Sequence, residues 1–138
     1  MRTKLGLLIA GTALLVPPTP VFAHHSFAAE YDSDKPVELK GVVTKWEWIN
    51  PHSRVYIDVQ DPNGKVIHWN IELLSPNTLT RSGWNRRTLK EGDVITVKGW
   101  RAKDGSNLAN ARSVVLANGK AVFDKAELGP DVDGERRR

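Results

Sequence analysis

Two runs of alternating residues, joined by Asp61-Pro62-Asn63-Gly64, constrain the fold of this chain more than any other feature. Val55, Ile57 and Val59 alternate with polar neighbours, and so do Ile67, Trp69 and Ile71. A period of two marks strands buried on one face only. Asp-Pro-Asn-Gly suits a type I turn whose glycine takes the left-handed conformation and creates a bulge. The loop then closes Asp61 against Lys65 and sets Val59 against Ile67, Ile57 against Trp69 and Val55 against Ile71. The opposite face pairs Asp58 with His68, Tyr56 with Asn70 and Arg54 with Glu72. A two-residue loop would slip the register by one position and set apolar residues against polar ones. Only the bulged turn satisfies pattern and register together.

The rest of the chain continues in short β-type segments. Strands are predicted at 37–48, 54–60, 65–72, 93–100 and 109–116, with a short sixth at 120–123. Asp104-Gly105 and Asn118-Gly119 are tight-hairpin signals between the later strands. Between strands three and four, Ser75-Pro76 supplies an N-cap followed by proline at the first helical position, and Gly83 stops the helix. Gly41 interrupts the first strand, and its inward set changes parity between Val43 and Trp46. A glycine kink with a bulge lets one strand bend into both halves of a closed sheet. The expectation is an all-β fold, a small five- to six-stranded OB-like barrel with one short helix between strands three and four. A small β-sandwich is the alternative.

The amino-terminal segment has a different logic. Arg2 and Lys4 precede an apolar run from 5 to 16, too short to span a bilayer, and Val21-Phe22-Ala23 supplies a small-residue cleavage pattern. Residues 1–23 therefore read as a signal peptide, 24–35 as an extended arm, 36–123 as the barrel domain and 124–138 as a polar tail. A rival cut after Ala28 would remove His24 and His25. No later apolar stretch approaches transmembrane length. Loss of Arg2 and Lys4 takes 20 basic side chains to 18, against 16 acidic, and Arg136 to Arg138 sit in the tail. A nearly neutral body lacks the clustered basic face of a nucleic-acid-binding protein. With no cysteine there is neither a disulfide framework nor a thiolate ligand. A periplasmic or secreted domain is expected.

His24-His25-Ser26-Phe27-x-x-x-Tyr31-Asp32, Leu39-x-Gly41-x-Val43, Trp48-x-Asn50-Pro51-His52 and Gly92-Asp93-x-Ile95-x-Val97-x-Gly99 occur in this order. Together they resemble a family of small exported bacterial proteins classed as a domain of unknown function. The resemblance implies an exported, barrel-like domain and supplies no activity.

The four histidines, His24, His25, His52 and His68, are the candidate metal ligands. Cleavage after Ala23 would put a free amine and an imidazole on His24, and such a nitrogen set suits copper(II). His52 or His68 could complete a brace; alternatively the amine, the second amide and the His25 ring could bind together. The competing reading leaves His24 and His25 as terminal residues without a role, His52 as a turn histidine and His68 as the cross-strand partner of Asp58.

Trp46, Trp48, Asn50, His52 and Tyr56 form an alternative ligand-binding set near the rim that OB-folds use, set against simple packing of the tryptophans. Trp69 is expected in the core and Trp84 at the barrel end. Glu47, Asp58 and Glu72 offer no fixed separation for acid–base work, and Arg54 is placed to neutralise Glu72. No nucleophile-elbow, zincin, Walker or dinucleotide motif is present. The expectation is an exported, non-catalytic binding module for copper or a periplasmic protein partner. A metal-free module for peptide, glycan or protein and a copper-dependent oxidase are the alternatives.

Overall fold

A computed structural model describes residues 27–125. The elements are α1 (Phe27–Glu30), β1 (Tyr31–Glu47), β2 (Arg54–Gln60), β3 (Val66–Glu72), α2 (Pro76–Arg81), β4 (Val94–Ala102), β5 (Leu108–Leu116) and β6 (Ala121–Asp124). The sheet runs β3-β2-β1-β4-β5-β6, and a parallel pairing of β3 with β5 closes it into a ring. That closure makes the fold an OB-like barrel rather than a two-sheet sandwich, with β6 as an added strand on β5.

The β2–β3 register is the one the turn chemistry requires. Val55 faces Ile71, Ile57 faces Trp69 and Asp58 faces His68. Gly64 has φ +81°, and Asp61 and Lys65 close the loop through a backbone bond of 2.9 Å. The expected helix also forms: Ser75 Oγ accepts from the Thr78 amide, Pro76 opens the helix, and Gly83 follows it at φ +84°.

β1 bends where the sequence pattern changes parity. Val43 pairs with Ile57 but Lys45 pairs with Tyr56, which leaves Thr44 as the extra residue of a bulge. At this bend β1 passes from β4 to β2, so one strand serves both halves of the barrel. Gly41 lies beside it because the strands approach closely there: a Cβ would stand 2.6 Å from the Asp58 carbonyl oxygen.

The inward residues of β1–β5 make one core with α2 and Trp84. Trp84 sits at the barrel end against Trp46 and Phe123, and its indole N–H donates to the Val122 carbonyl. Trp69 lies in the core, with Arg101 stacked over its ring at 5.2 Å.

The amino-terminal boundary departs from expectation. The first strand begins at Tyr31, not near 37, and Phe27–Glu30 forms a single helical turn ahead of it. Phe27 stacks on Tyr31 at 5.6 Å and meets Trp100 edge-on at 5.2 Å. The Lys103 amide donates to the Glu30 carbonyl, and its ammonium reaches the Ala28 carbonyl. Aromatic burial anchors this stretch; its charged residues from Asp32 to Lys35 carry no periodic signal because they face outward. At the other end, Asp124 belongs to β6. His24, His25 and the expected leader, together with 126–138 of the expected tail, lie outside the described residues.

Candidate functional site

The loop between β1 and β2 ends in a backbone clamp. Ser53 donates to the Leu74 carbonyl at 3.0 Å and accepts from the Leu73 amide at 2.9 Å, extending the β2–β3 ladder by one step. His52 is thereby held beside the last ladder pair, Arg54 and Glu72. Its Nδ1 lies 3.3 Å from Glu72 Oε1, while the Arg54 guanidinium donates to Glu72 Oε2 at 2.9 Å.

Glu72 projects from the outer face of β3, yet it is only 5% exposed, because the β3–β5 closure sets Asn110 directly against it. Asn110 Nδ2 donates to Glu72 Oε1 at 3.1 Å, and the Lys125 ammonium donates to Asn110 Oδ1 at 2.7 Å. Arg54 also reaches Asn70 Oδ1 at 3.3 Å. Burial alone would push the Glu72 carboxyl upward, but the His52 hydrogen bond and the His52 and Arg54 charges outweigh it and hold the group below the usual range. The Tyr31 hydroxyl is buried near the same carboxylate without a hydrogen bond of regular geometry. Burial first, and the Glu72 charge second, raise its ionisation far above that of a free phenol.

This arrangement orients one imidazole. With Nδ1 3.3 Å from a carboxylate, a tautomer that carries its proton on Nδ1 would have its lone pair on Nε2, and the side chain is 36% exposed. A carboxylate behind a histidine is the arrangement that fixes the tautomer of metal-binding imidazoles and raises their basicity. Among the described residues, no group of three or more His, Cys, Asp or Glu is placed to hold a metal ion.

Glu72→Gln tests the cluster. It removes the charge facing a largely buried guanidinium, and the expected loss of stability is about 2 kcal/mol at pH 7. Because the folded carboxyl titrates below its unfolded value of about 4.3, its contribution is complete above that pH and disappears as pH falls through the folded value. Urea melts of the two proteins should therefore converge in acid.

The other expected site residues are dispersed. His68 pairs with Asp58 at 2.5 Å and its side chain is 81% exposed. Four ladder positions separate it from Glu72, about 13 Å along the strand, so it does not share the His52 site. Trp46 and Trp48 contact each other at 5.7 Å and pack against the core. Tyr56 follows the buried Val55 and points to the opposite face, where it donates to Glu47 at 3.1 Å. Asn50 is exposed in the loop, joined to Pro51 by a cis peptide bond. Glu47, Asp58 and Glu72 have separate partners in Lys45, His68 and Arg54 and form no carboxylate pair. Sequence reasoning found the Arg54–Glu72 contact but not Tyr31 or Asn110. Neither has a local signal, since both arrive through long-range strand pairing.

Among the described residues no helix is long and apolar enough to cross a membrane. No curated protein matches the chain by sequence. Among solved structures, the mitochondrial single-stranded DNA binding protein Rim1 of S. cerevisiae is similar, with 12% identity and a TM-score of 0.47 over 60% of this chain and 93% of that one. A chain in a complex of TiaS with a tRNA and ATP has 18% identity and a TM-score of 0.41 over 59% of this chain and 18% of that one. Residues 13–111 match the model of a family of unknown function, DUF6152, and the chain belongs to that family.

Proposed function

We propose that this chain is an exported, non-catalytic binding module that holds copper(II) between the amino-terminal histidine of the processed chain and His52. The observation that carries the reading is the placed imidazole: Nδ1 of His52 lies 3.3 Å from Glu72 on a side chain that is 36% exposed, and Nε2 is the ring nitrogen outside that contact. The docked turn at Phe27–Glu30 supports it. Phe27 packs on Tyr31, and Tyr31 lies within the electrostatic reach of Glu72. His24 stands three residues before Phe27, a reach of roughly 10 Å for extended chain. Export and cleavage after Ala23 are part of the same proposal, because the amine must be free to act as a ligand.

Intact mass spectrometry of the natively exported protein, apo and copper-loaded, tests it in one measurement. The expected species begins at His24 and takes up one copper ion. His52→Ala should weaken copper binding by at least about tenfold, since loss of even an outer-shell partner of a metal costs that much. A mature chain beginning at Ala29, or equal affinity of the His52→Ala protein, would remove the proposal.

A further inference from the structure

One oxygen of Glu72 is shared between two elements. His52 Nδ1 lies 3.3 Å from Oε1, and Asn110 Nδ2 donates to the same atom at 3.1 Å. The other oxygen, Oε2, accepts from Arg54 at 2.9 Å. A carboxylate oxygen offers two lone-pair sites, so a donor on one of them decides which direction is left for its neighbour. Asn110 is that donor. Arg54 is not, because its contacts are with the opposite oxygen and with Asn70. Nor is Tyr31, whose buried hydroxyl makes no hydrogen bond of regular geometry.

The amide of Asn110 is itself oriented from both ends. The Lys125 ammonium donates to Oδ1 at 2.7 Å, and an ammonium has no acceptor to offer. Glu72, held below the usual carboxyl range, is ionised at neutral pH and has no proton to give. Both neighbours therefore demand one orientation, oxygen to Lys125 and nitrogen to Glu72. Strand pairing delivers these groups. Asn110 faces Glu72 across the parallel closure of β3 on β5, and Lys125 follows Asp124, which pairs with Ser113 of β5. Asn110 is only 6% exposed, so solvent hardly competes for its amide. Both bonds are charge-assisted, the stronger kind.

We infer that Asn110, held by Lys125, is a positioning residue for His52: it sets Glu72 Oε1 so that the neutral ring carries its proton on Nδ1 and keeps Nε2 for a ligand. Neither residue touches that ligand. The hydrogen bond made by one ring nitrogen selects the tautomer and so the nitrogen left for binding. The consequence for copper affinity rests on the reading of His52 as a ligand; the state of the ring is a property of the metal-free protein.

Two measurements on the mature protein test this. Nitrogen NMR of the metal-free protein, in alkaline buffer where the imidazole is neutral, reads the His52 tautomer, and calorimetry reads copper(II) affinity. The natural protein is expected in the Nδ1–H form. Asn110→Ala should move His52 toward the Nε2–H form and weaken copper at least about tenfold, as loss of an outer-shell partner does. Lys125→Met should act in the same direction with about a threefold loss, the size of a modest hydrogen bond. Lys125→Arg should restore both readings. A merely structural role would lower the melting temperature without moving the tautomer. If Asn110→Ala does not fold, the two Lys125 variants decide alone. A natural ring protonated on Nε2, or a ring unchanged in every folded variant, would overturn the assignment even where copper binds. A ring that moves as expected in a protein that takes no copper would uphold it and remove the copper reading.

Discussion

Placing one additional residue ahead of His24 should lower the copper(II) affinity of the mature protein by on the order of a hundredfold. The amine and the imidazole of a terminal histidine close a chelate on one residue. An added residue converts that amine into an amide, which must lose a proton before it can bind a metal. Removal of an outer-shell partner alone typically costs ~10–100-fold, so loss of a direct ligand belongs at or above the upper end. Fluorescence or calorimetric titration of the two forms reads the difference. Two controls isolate the cause. Phe27→Ala should weaken binding in the natural form, because the aromatic contacts that dock the first helical turn are removed. The same substitution should change little once the terminus is extended. Equal affinity of natural and extended chains would show that the amine is not a ligand.

Gly99→Ala should be the most destabilising of the single-methyl additions. In β4 Gly99 faces Ala111, just after the register shift at Lys98, and its Cβ would stand 2.1 Å from the Asn110 carbonyl oxygen. The obstructing atom is backbone, so no side-chain rotation relieves the contact. Either β4 or β5 must move. Overpacking of this kind costs about 3 kcal/mol, equivalent to a fall of about 12–24 °C in the melting temperature of a domain this size. The effect should extend to the candidate site, because Asn110 also pairs with Glu72 in the β3–β5 closure and donates to its carboxylate. His52 should therefore lose order along with stability, visible as broadening of its ring resonances. Stability within about 0.5 kcal/mol of the natural protein, the range of an ordinary surface substitution, would contradict the packing argument.

The features that were legible in advance share a short range. The Asp-Pro-Asn-Gly turn and the alternation on either side of it define the β2–β3 register residue by residue. Ser75, Pro76 and Gly83 encode a helix that starts and stops as capping chemistry requires. The parity change between Val43 and Trp46 marks a bulge that lies at Thr44. The first strand was the exception. Its opening residues pair with β4 on one edge and expose charged side chains, so they carry no alternation to read. Phe27 and Tyr31 anchor them against an aromatic residue far along the chain, and Lys103 holds the Ala28 and Glu30 carbonyls.

The candidate sites were less legible for the same reason. His52 was visible as a loop histidine, but the carboxylate behind it belongs to Glu72, and Glu72 is buried by residues from β1 and β5. The Asn110–Glu72 contact spans 38 positions, and no local pattern specifies which outward residues a closing strand will cover. Likewise, Trp46 and Tyr56 read as members of one rim in the sequence, whereas the pleat puts them on opposite faces of β1–β2. By itself the chain determined turn type, register, cap and bulge, since neighbouring residues settle those through dihedral preference and face alternation. Which outward residue covers Glu72 behind His52 was decided only when β3 closed on β5. That step depends on the twist and stagger of the whole barrel, a property that no single segment carries.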